Sequence, residues 1–160
     1  IEVGSPSRDE RVVVRIHSSC FTGDILNSLK CDCGQQLKEA LHYIKKVKGG
    51  VLVYLNQEGR SIGLGNKMRA YTLQNQGFDT VEANHRLGFE DDERDLQIGA
   101  EIIKSMGFKE IQILTNNPKK IISAKKAGLK VSGYLKLKTK PTKENKNYLK
   151  TKAKKSGHFL

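Results

Sequence analysis

The sequence predicts an α/β chain, a mixed α+β sheet with flanking helices in one compact domain. Two observations predict it. Short β-branched or apolar runs alternate along the chain with stretches that carry apolar residues at helical spacing. Glycine and proline punctuate the joins, with no internal repeat and no low-complexity linker between them. A chain of 160 residues is long enough to bury a core as a single domain.

The elements follow in order. Arg11 to His17 reads as a strand because Val12, Val13, Val14 and Ile16 form a β-branched run. The loop after it carries Cys20 and ends near Cys31 and Cys33. Gln35 to Lys48 has helical spacing, with Leu37, Leu41, Ile44 and Val47 or Lys48 on one face, and Gly49-Gly50 closes it. Val51 to Leu55 is short, apolar and suited to a buried strand. A polar, glycine-rich stretch from Gln57 to Gly65 leads into a helix from about Asn66 to Gln76, which Gly77 ends. Asp79 to Leu87 reads as irregular, and Asp92 to Met106 as a helix with Leu96, Ala100 and Ile103 inward. Glu110 to Thr115 is a further strand. Asn116-Asn117-Pro118 then opens a helix to about Ala127, with proline suited to its first turn and Gly128 behind it. Val131 to Leu137 reads as the last strand and Lys143 to Lys155 as a basic terminal helix.

The net charge of +12 is unevenly spread, because Leu135 to Leu160 holds nine lysines and one acidic residue, Glu144. Such an end reads as a solvated face rather than a nucleic-acid surface. Stacking platforms need aromatics among the cations, and only Tyr134, Tyr148 and Phe159 are at hand. A positive field attracts a polyphosphate equally well. No run approaches the roughly 18 apolar residues of a membrane span. The first ten residues lack the regions of a signal peptide. Few cysteines, none obviously paired, suit a reducing compartment, so the cytoplasm is expected, with neither nucleic acid nor membrane as partner.

Cys20, Cys31 and Cys33 are the only cysteines. An odd, local trio suits a metal better than a disulfide. Three thiolates can fill three corners of a zinc tetrahedron and leave the fourth to water, as in catalytic sites. Three reduced thiols packed as small apolar groups remain the alternative, since the paired CxxC of a zinc finger is missing. His17, three residues before Cys20, suits either a fourth ligand or a satisfied histidine at a strand end. His42, among lysines, reads as surface; His85 and His158 carry no spacing argument.

Elsewhere, Gly59 to Gly65 is neither a Walker loop nor a GxGxxG turn, but Arg60 can grip phosphate and Glu58 can accept hydrogen bonds from a base or ribose. Asp92-Glu93-Arg94-Asp95 reads as an acid-rich first turn of a helix. Thr115 to Lys120 places a hydroxyl, two amides and two cations at a strand-to-helix junction. That suits a phosphate or an ordinary capped start.

Arg15-Ile16-His17-Ser18, Cys20-Phe21-Thr22-Gly23-Asp24, Cys31-Asp32-Cys33-Gly34, Gln57-Glu58-Gly59-Arg60 and Asn66-Lys67-Met68-Arg69-Ala70-Tyr71 resemble GTP cyclohydrolase II. So do Asp79-Thr80-Val81-Glu82-Ala83-Asn84, Asp92-Glu93-Arg94-Asp95 and Thr115-Asn116-Asn117-Pro118-Lys119-Lys120. The resemblance runs from about Arg15 to the C-terminus in the family's order. It implies an enzyme that opens the imidazole ring of GTP and releases formate and pyrophosphate. The product is a diaminopyrimidinone ribosyl phosphate, and the reaction is the first step of riboflavin biosynthesis. By the same resemblance Cys20, Cys31 and Cys33 hold zinc, whose bound water has its pKa lowered to about 7. Arg15, Ile16, His17, Ser18, Ser19, Gln36, Glu58, Gly59, Arg60, Thr80, Thr115 and Lys120 fall at positions that contact GTP. Asp92 falls at the proton acceptor and Arg94 at a residue assigned as nucleophile toward the α-phosphate. Because guanidinium is protonated at any ordinary pH, an electrostatic clamp suits Arg94 better. Tyr71 matches a tyrosine near the ring opening. Magnesium with the triphosphate and a homodimer complete what the resemblance implies.

One departure is Ser19, which stands where the family usually has glutamate. The stretch before Arg15 is also shorter than usual in the family, so the expectation is one catalytic domain over 1–160 that lacks part of the N-terminal portion. Two other readings stay open: a paralogue that stops at a formamide intermediate, and a basic nucleic-acid-binding module with a structural zinc.

Overall fold

The computed structural model describes residues 1–159. Five strands form one mixed sheet in the order β1-β3-β2-β4-β5. They are β1 (Glu2–Val3), β2 (Val12–Ser18), β3 (Gly50–Leu55), β4 (Glu110–Leu114) and β5 (Lys130–Leu135). β1 runs antiparallel to β3; every other neighbouring pair is parallel. Six α-helices cover it: α1 (Cys33–Lys46), α2 (Gly63–Asn75), α3 (Thr80–Arg86), α4 (Gln97–Ser105), α5 (Pro118–Lys126) and α6 (Lys146–Ser156).

Alternation along β2 sets the two faces. Val12, Val14 and Ile16 point into a core closed by Ala100 and Ile103 of α4 and Ala124 of α5. Gly99 lets α4 approach, since a Cβ there would meet Ile16 Cγ2 at 2.6 Å. The opposite face holds Ala40 and Ile44 of α1 against Leu52 and Leu114. Arg15 and His17 share that face with Val13, so the strand's own periodicity delivers two polar side chains beneath α1. The crossover from β2 to β3 and the one from β4 to β5 travel in opposite directions. Right-handed crossovers then put α1 and α5 on opposite faces and open a crevice at the carboxyl ends of β2 and β4.

Several expected elements move. Asp79 to Leu87 is not irregular: α3 starts there on a capping box in which Asp79 accepts from Val81 and Glu82 N–H while the Glu82 carboxylate accepts from Asp79 N–H. Asp92 to Asp95 is not a helical first turn. The Asp92 carboxylate is taken by Arg94, Asp95 Oδ1 accepts the Gln97 N–H, and α4 begins only at Gln97. The buried stripe of α1 is Gln36, Ala40 and Ile44, whereas Leu41 and Val47 are exposed. β1 is two residues long, too short to show a period. Among the described residues no helix is long and apolar enough to cross a membrane.

Candidate active site

The chain leaving β2 makes one turn of π-helix over Phe21–Ile25, and Cys33 opens α1 beside it. This brings the three cysteine Sγ atoms within 4.8 Å of one another, with Cys20 and Cys31 at 3.7 Å. Tetrahedral zinc with Zn–S bonds of ~2.3 Å separates its sulfurs by roughly 3.8 Å. Gly23 forms the floor of the cradle: a Cβ there would stand 2.9 Å from Cys31 Sγ and 3.1 Å from Cys20 Sγ. Cys20 is pulled far down by hydrogen bonds from the other two thiols and by the Lys67 ammonium. Cys31 is pushed up to about 11 and Cys33 well above its ordinary value, because each donates to Cys20 and is buried. Protein groups thus stabilise one thiolate. The sulfur spacing, the space a Cβ at Gly23 would fill and the all-thiol donor set fit zinc with three protein ligands.

Asp24 organises the near wall. Its carboxylate accepts from Cys20 N–H at 3.0 Å, Tyr54 Oη at 2.8 Å and His17 Nε2 at 3.1 Å. His17 Nδ1 in turn accepts from Arg15 Nη2 at 3.2 Å. Both ring nitrogens are therefore used and His17 is neutral, held below its usual pKa mainly by burial. The option of His17 as fourth metal ligand is closed. On α2, Lys67 Nζ donates to Cys20 Sγ at 3.1 Å, Thr22 Oγ1 at 2.9 Å and Glu58 Oε1 at 2.8 Å. Tyr71, one turn further on, has its ring 5.7 Å from that ammonium.

The far wall is cationic. Arg15 is buried, donates to Leu114 O and Gln36 Oε1, leaves Nε without a partner, and is pushed down to about 10 by burial. Lys120 Nζ donates to Ile16 O at 2.8 Å, and burial holds it well below its ordinary value. Arg94 makes two 2.7 Å bonds to Asp92 and a 3.2 Å bond to Ser18 Oγ. Burial raises the Asp92 carboxyl, but Arg94 outweighs it and holds the group below the usual carboxylate range. Arg60 donates to Asp91 O at 2.6 Å.

These walls enclose a cavity of about 120 Å³ lined by the three cysteines, Arg15, His17, Ser18, Ser19, Gln36, Glu58, Gly59, Arg60, Arg94, Thr115 and Lys120. Ile16, Asp92 and Tyr71 do not line it: the Ile16 carbonyl accepts from Lys120, Asp92 stands behind Arg94, and Tyr71 beyond Lys67. Thr80 is not brought there. It lines a second cavity of about 570 Å³, separated from the first by Tyr148, which lines both. Gln36 and Glu58 are already engaged: Gln36 Nε2 donates to Asp32 at 2.6 Å and Glu58 Oε2 accepts from Phe21 N–H at 2.6 Å.

Several lining or supporting residues had no signal in the sequence. Lys152 and His158 line the cavity from α6 and the segment after it, hidden in a lysine-rich run. Asp24 does show a trace, for Cys20-Phe21-Thr22-Gly23-Asp24 spans one turn.

Comparison with known proteins shows the family. The GTP cyclohydrolase II family model matches residues 2–136. The chain belongs to that family. It is 52% identical over 157 residues to riboflavin biosynthesis protein RibBA of Chlorobium phaeovibrioides, which covers 98% of this chain and 38% of the relative. It is 52% identical over 151 residues to the RibBA of Endomicrobium trichonymphae, covering 94% and 38%. Against GTP cyclohydrolase-2 of Histophilus somni it is 51% identical over 158 residues, covering 99% and 73%. The chain spans about two fifths of the length of the RibBA relatives it matches. The GTP cyclohydrolase II match ends before α6, so Tyr148, Lys152 and His158 lie beyond the matched family segment.

Proposed function

We propose that this chain is a zinc-dependent GTP cyclohydrolase II domain, which opens the imidazole ring of GTP with release of formate and pyrophosphate for riboflavin synthesis. One observation carries the reading. A three-thiol cradle opens into a cavity whose other charged lining is six cations (Arg15, Arg60, Lys67, Arg94, Lys120 and Lys152) against the single carboxylate of Glu58. Arg94, Lys67 and Lys152 are paired with Asp92, Glu58 and Asp32, but among the described residues the buried Arg15 and Lys120 have no carboxylate partner and suit a polyanion that brings its own charge. Family membership and the relatives' names support GTP as that polyanion.

Zinc held by Cys20, Cys31 and Cys33 would supply a Lewis acid and an acidified water, with the fourth position free for reactants. The chain's residues do the rest. Arg15, Lys120 and Arg60 bind phosphate oxygens, with magnesium sharing that charge. Thr115 and Ser18 offer hydroxyl donors, and Ser19 and Gly59 close the wall beside them. Arg94, held as a fork by Asp92, clamps the departing pyrophosphate, with Asp92 orienting it. Tyr71 gives a proton to the opened ring. Gln36 reads the base by exchanging its present partners for guanine groups, and Glu58 by accepting a guanine N–H at the remaining lone pair of Oε2. Thr80 reaches the nucleotide only when Tyr148 and α6 draw back. That movement is required in any case, for 120 Å³ falls below the roughly 300–1,000 Å³ of ordinary ligand sites. The proposal includes a homodimer and cytoplasmic operation, and one catalytic domain over 1–160.

Metal analysis followed by incubation with GTP and magnesium tests it. Stoichiometric zinc with both formate and pyrophosphate is expected. Zinc-loaded protein that yields neither overturns it, and pyrophosphate without formate assigns the chain to the formamide-releasing paralogue. Light scattering of the same sample reads the dimer.

A further inference from the structure

Lys67 has no part in gripping substrate in the reading above, yet it is the cation nearest the thiol cradle. Its residue is 9% exposed, and its stem packs on Gly59, where a Cβ would meet Lys67 Cβ at 3.1 Å. Its ammonium offers three protons, and three acceptors take them: Cys20 Sγ, Thr22 Oγ1 and Glu58 Oε1, all at 2.8–3.1 Å. A group so saturated is not free to hold phosphate. It is anchored, and what it is anchored against is a metal-ligand sulfur.

We infer that Lys67 is a positioning residue for the metal centre, stabilising a three-thiolate site through its N–H···S bond to Cys20 and fixing Glu58 at the rim. The inference rests on the zinc part of the proposed function. Three thiolates around a divalent cation would leave a net charge of −1, and the Lys67 ammonium, which Cys20 shares with Glu58, offsets part of it at the sulfur. A hydrogen bond to sulfur withdraws electron density from it, so the metal keeps more of its Lewis acidity than three unmodified thiolates would leave. Glu58 is the second beneficiary. With Oε1 on Lys67 and the Gly59 N–H and Oε2 on the Phe21 N–H, its carboxylate is held on the thiol side of the cavity. Lys67 thereby couples the metal loop after β2 to the Glu58-Gly59-Arg60 loop after β3.

The test compares wild type, Lys67→Met and Lys67→Gln, each first characterised by urea denaturation in the metal-free form. Zinc dissociation constants come from competition with a chromogenic chelator. Cobalt(II) loaded in place of zinc reports the sulfurs through its thiolate-to-metal charge-transfer band. Lys67→Met is expected to weaken zinc binding by about 10–100-fold and to move the cobalt band to longer wavelength, because the sulfur loses its hydrogen bond. Lys67→Gln retains an amide donor without the charge, so it is expected to weaken zinc while shifting the band less. If Lys67→Met does not fold, the Gln variant decides alone. Variants that fold and hold zinc within about twofold of wild type, with an unmoved band, overturn the inference and leave the zinc reading intact. A wild type that takes up neither metal overturns both.

Discussion

Lys152 Nζ lies 3.0 Å from Asp32 Oδ1, with side chains 8% and 0% exposed, and so ties α6 to the residue between two thiols. The other Asp32 oxygen accepts from Gln36, which in turn accepts from Arg15. Burial raises the Asp32 carboxyl, but Lys152 and Gln36 outweigh it and keep it ionised. The fold therefore carries a buried chain of charge from the C-terminal helix through the cysteine loop to the cationic wall.

Lys152→Met should cost roughly 3–5 kcal/mol, since it strands a buried carboxylate. Urea denaturation measures it. Adding Asp32→Asn should return much of the loss. A cost below about 1 kcal/mol would mean that α6 does not dock on Asp32 in solution.

Gly23→Ala should weaken zinc binding by at least about tenfold, comparable to loss of a supporting contact around a metal. The backbone at Gly23 is not left-handed, so the substitution is a steric test alone. Its methyl would press on Cys20, Cys31 and Cys33 together. Chelator competition reads the affinity, and an unchanged constant would mean that the thiols do not close around one ion.

The strand and helix alternation of the core was legible because β2 is a β-branched run, β4 alternates isoleucine with polar residues, and α5 begins on Asn-Pro. The Asp79–Glu82 box is present in the sequence, but no long apolar stripe follows it to mark a helix. What the residues alone left open is long-range. Nothing local in Lys152 distinguishes it from the other lysines near it, and its burial depends on an aspartate 120 positions away. Similarly, the cysteine spacing admitted a metal, but only the π-turn that places Gly23 under the sulfurs turns spacing into a cradle.

Acid should destabilise the fold from about pH 6.5 downward. His17 is buried beside Arg15, Asp24 and Lys120, with Tyr54 stacked on it, and its folded pKa is lowered. His158 is pushed down to about 3 by burial and by the charges of Lys152, Arg60 and Arg94, against a smaller opposite pull from Asp32. Each unfolded histidine takes up a proton near pH 6.5 that the folded one refuses. Stability from these groups is complete above that pH and is lost as pH falls toward the folded values, by up to ~1.4 kcal/mol per unit for each. Denaturation midpoints measured from pH 7.5 to 5 should fall in wild type and fall less steeply in His158→Gln. Parallel slopes would place His158 in solvent.

Arg94→Lys should cut pyrophosphate release by about a hundredfold, the scale seen when one oriented donor is removed from a charge-stabilising site. Arg94 meets Asp92 through two bonds of 2.7 Å and turns a third nitrogen toward Ser18. Burial opposes its charge, but the Asp92 carboxylate more than offsets this, so the guanidinium stays a cation. Lysine keeps the charge and loses the fork, which separates field from geometry. Asp92→Asn should fall by a similar factor with little change in KM, because it frees the fork to turn while leaving phosphate contacts at Arg15 and Lys120. Pyrophosphate release undiminished in Arg94→Lys would show that charge alone suffices there. Release abolished outright in the lysine variant, with GTP still bound, would favour covalent participation over a clamp.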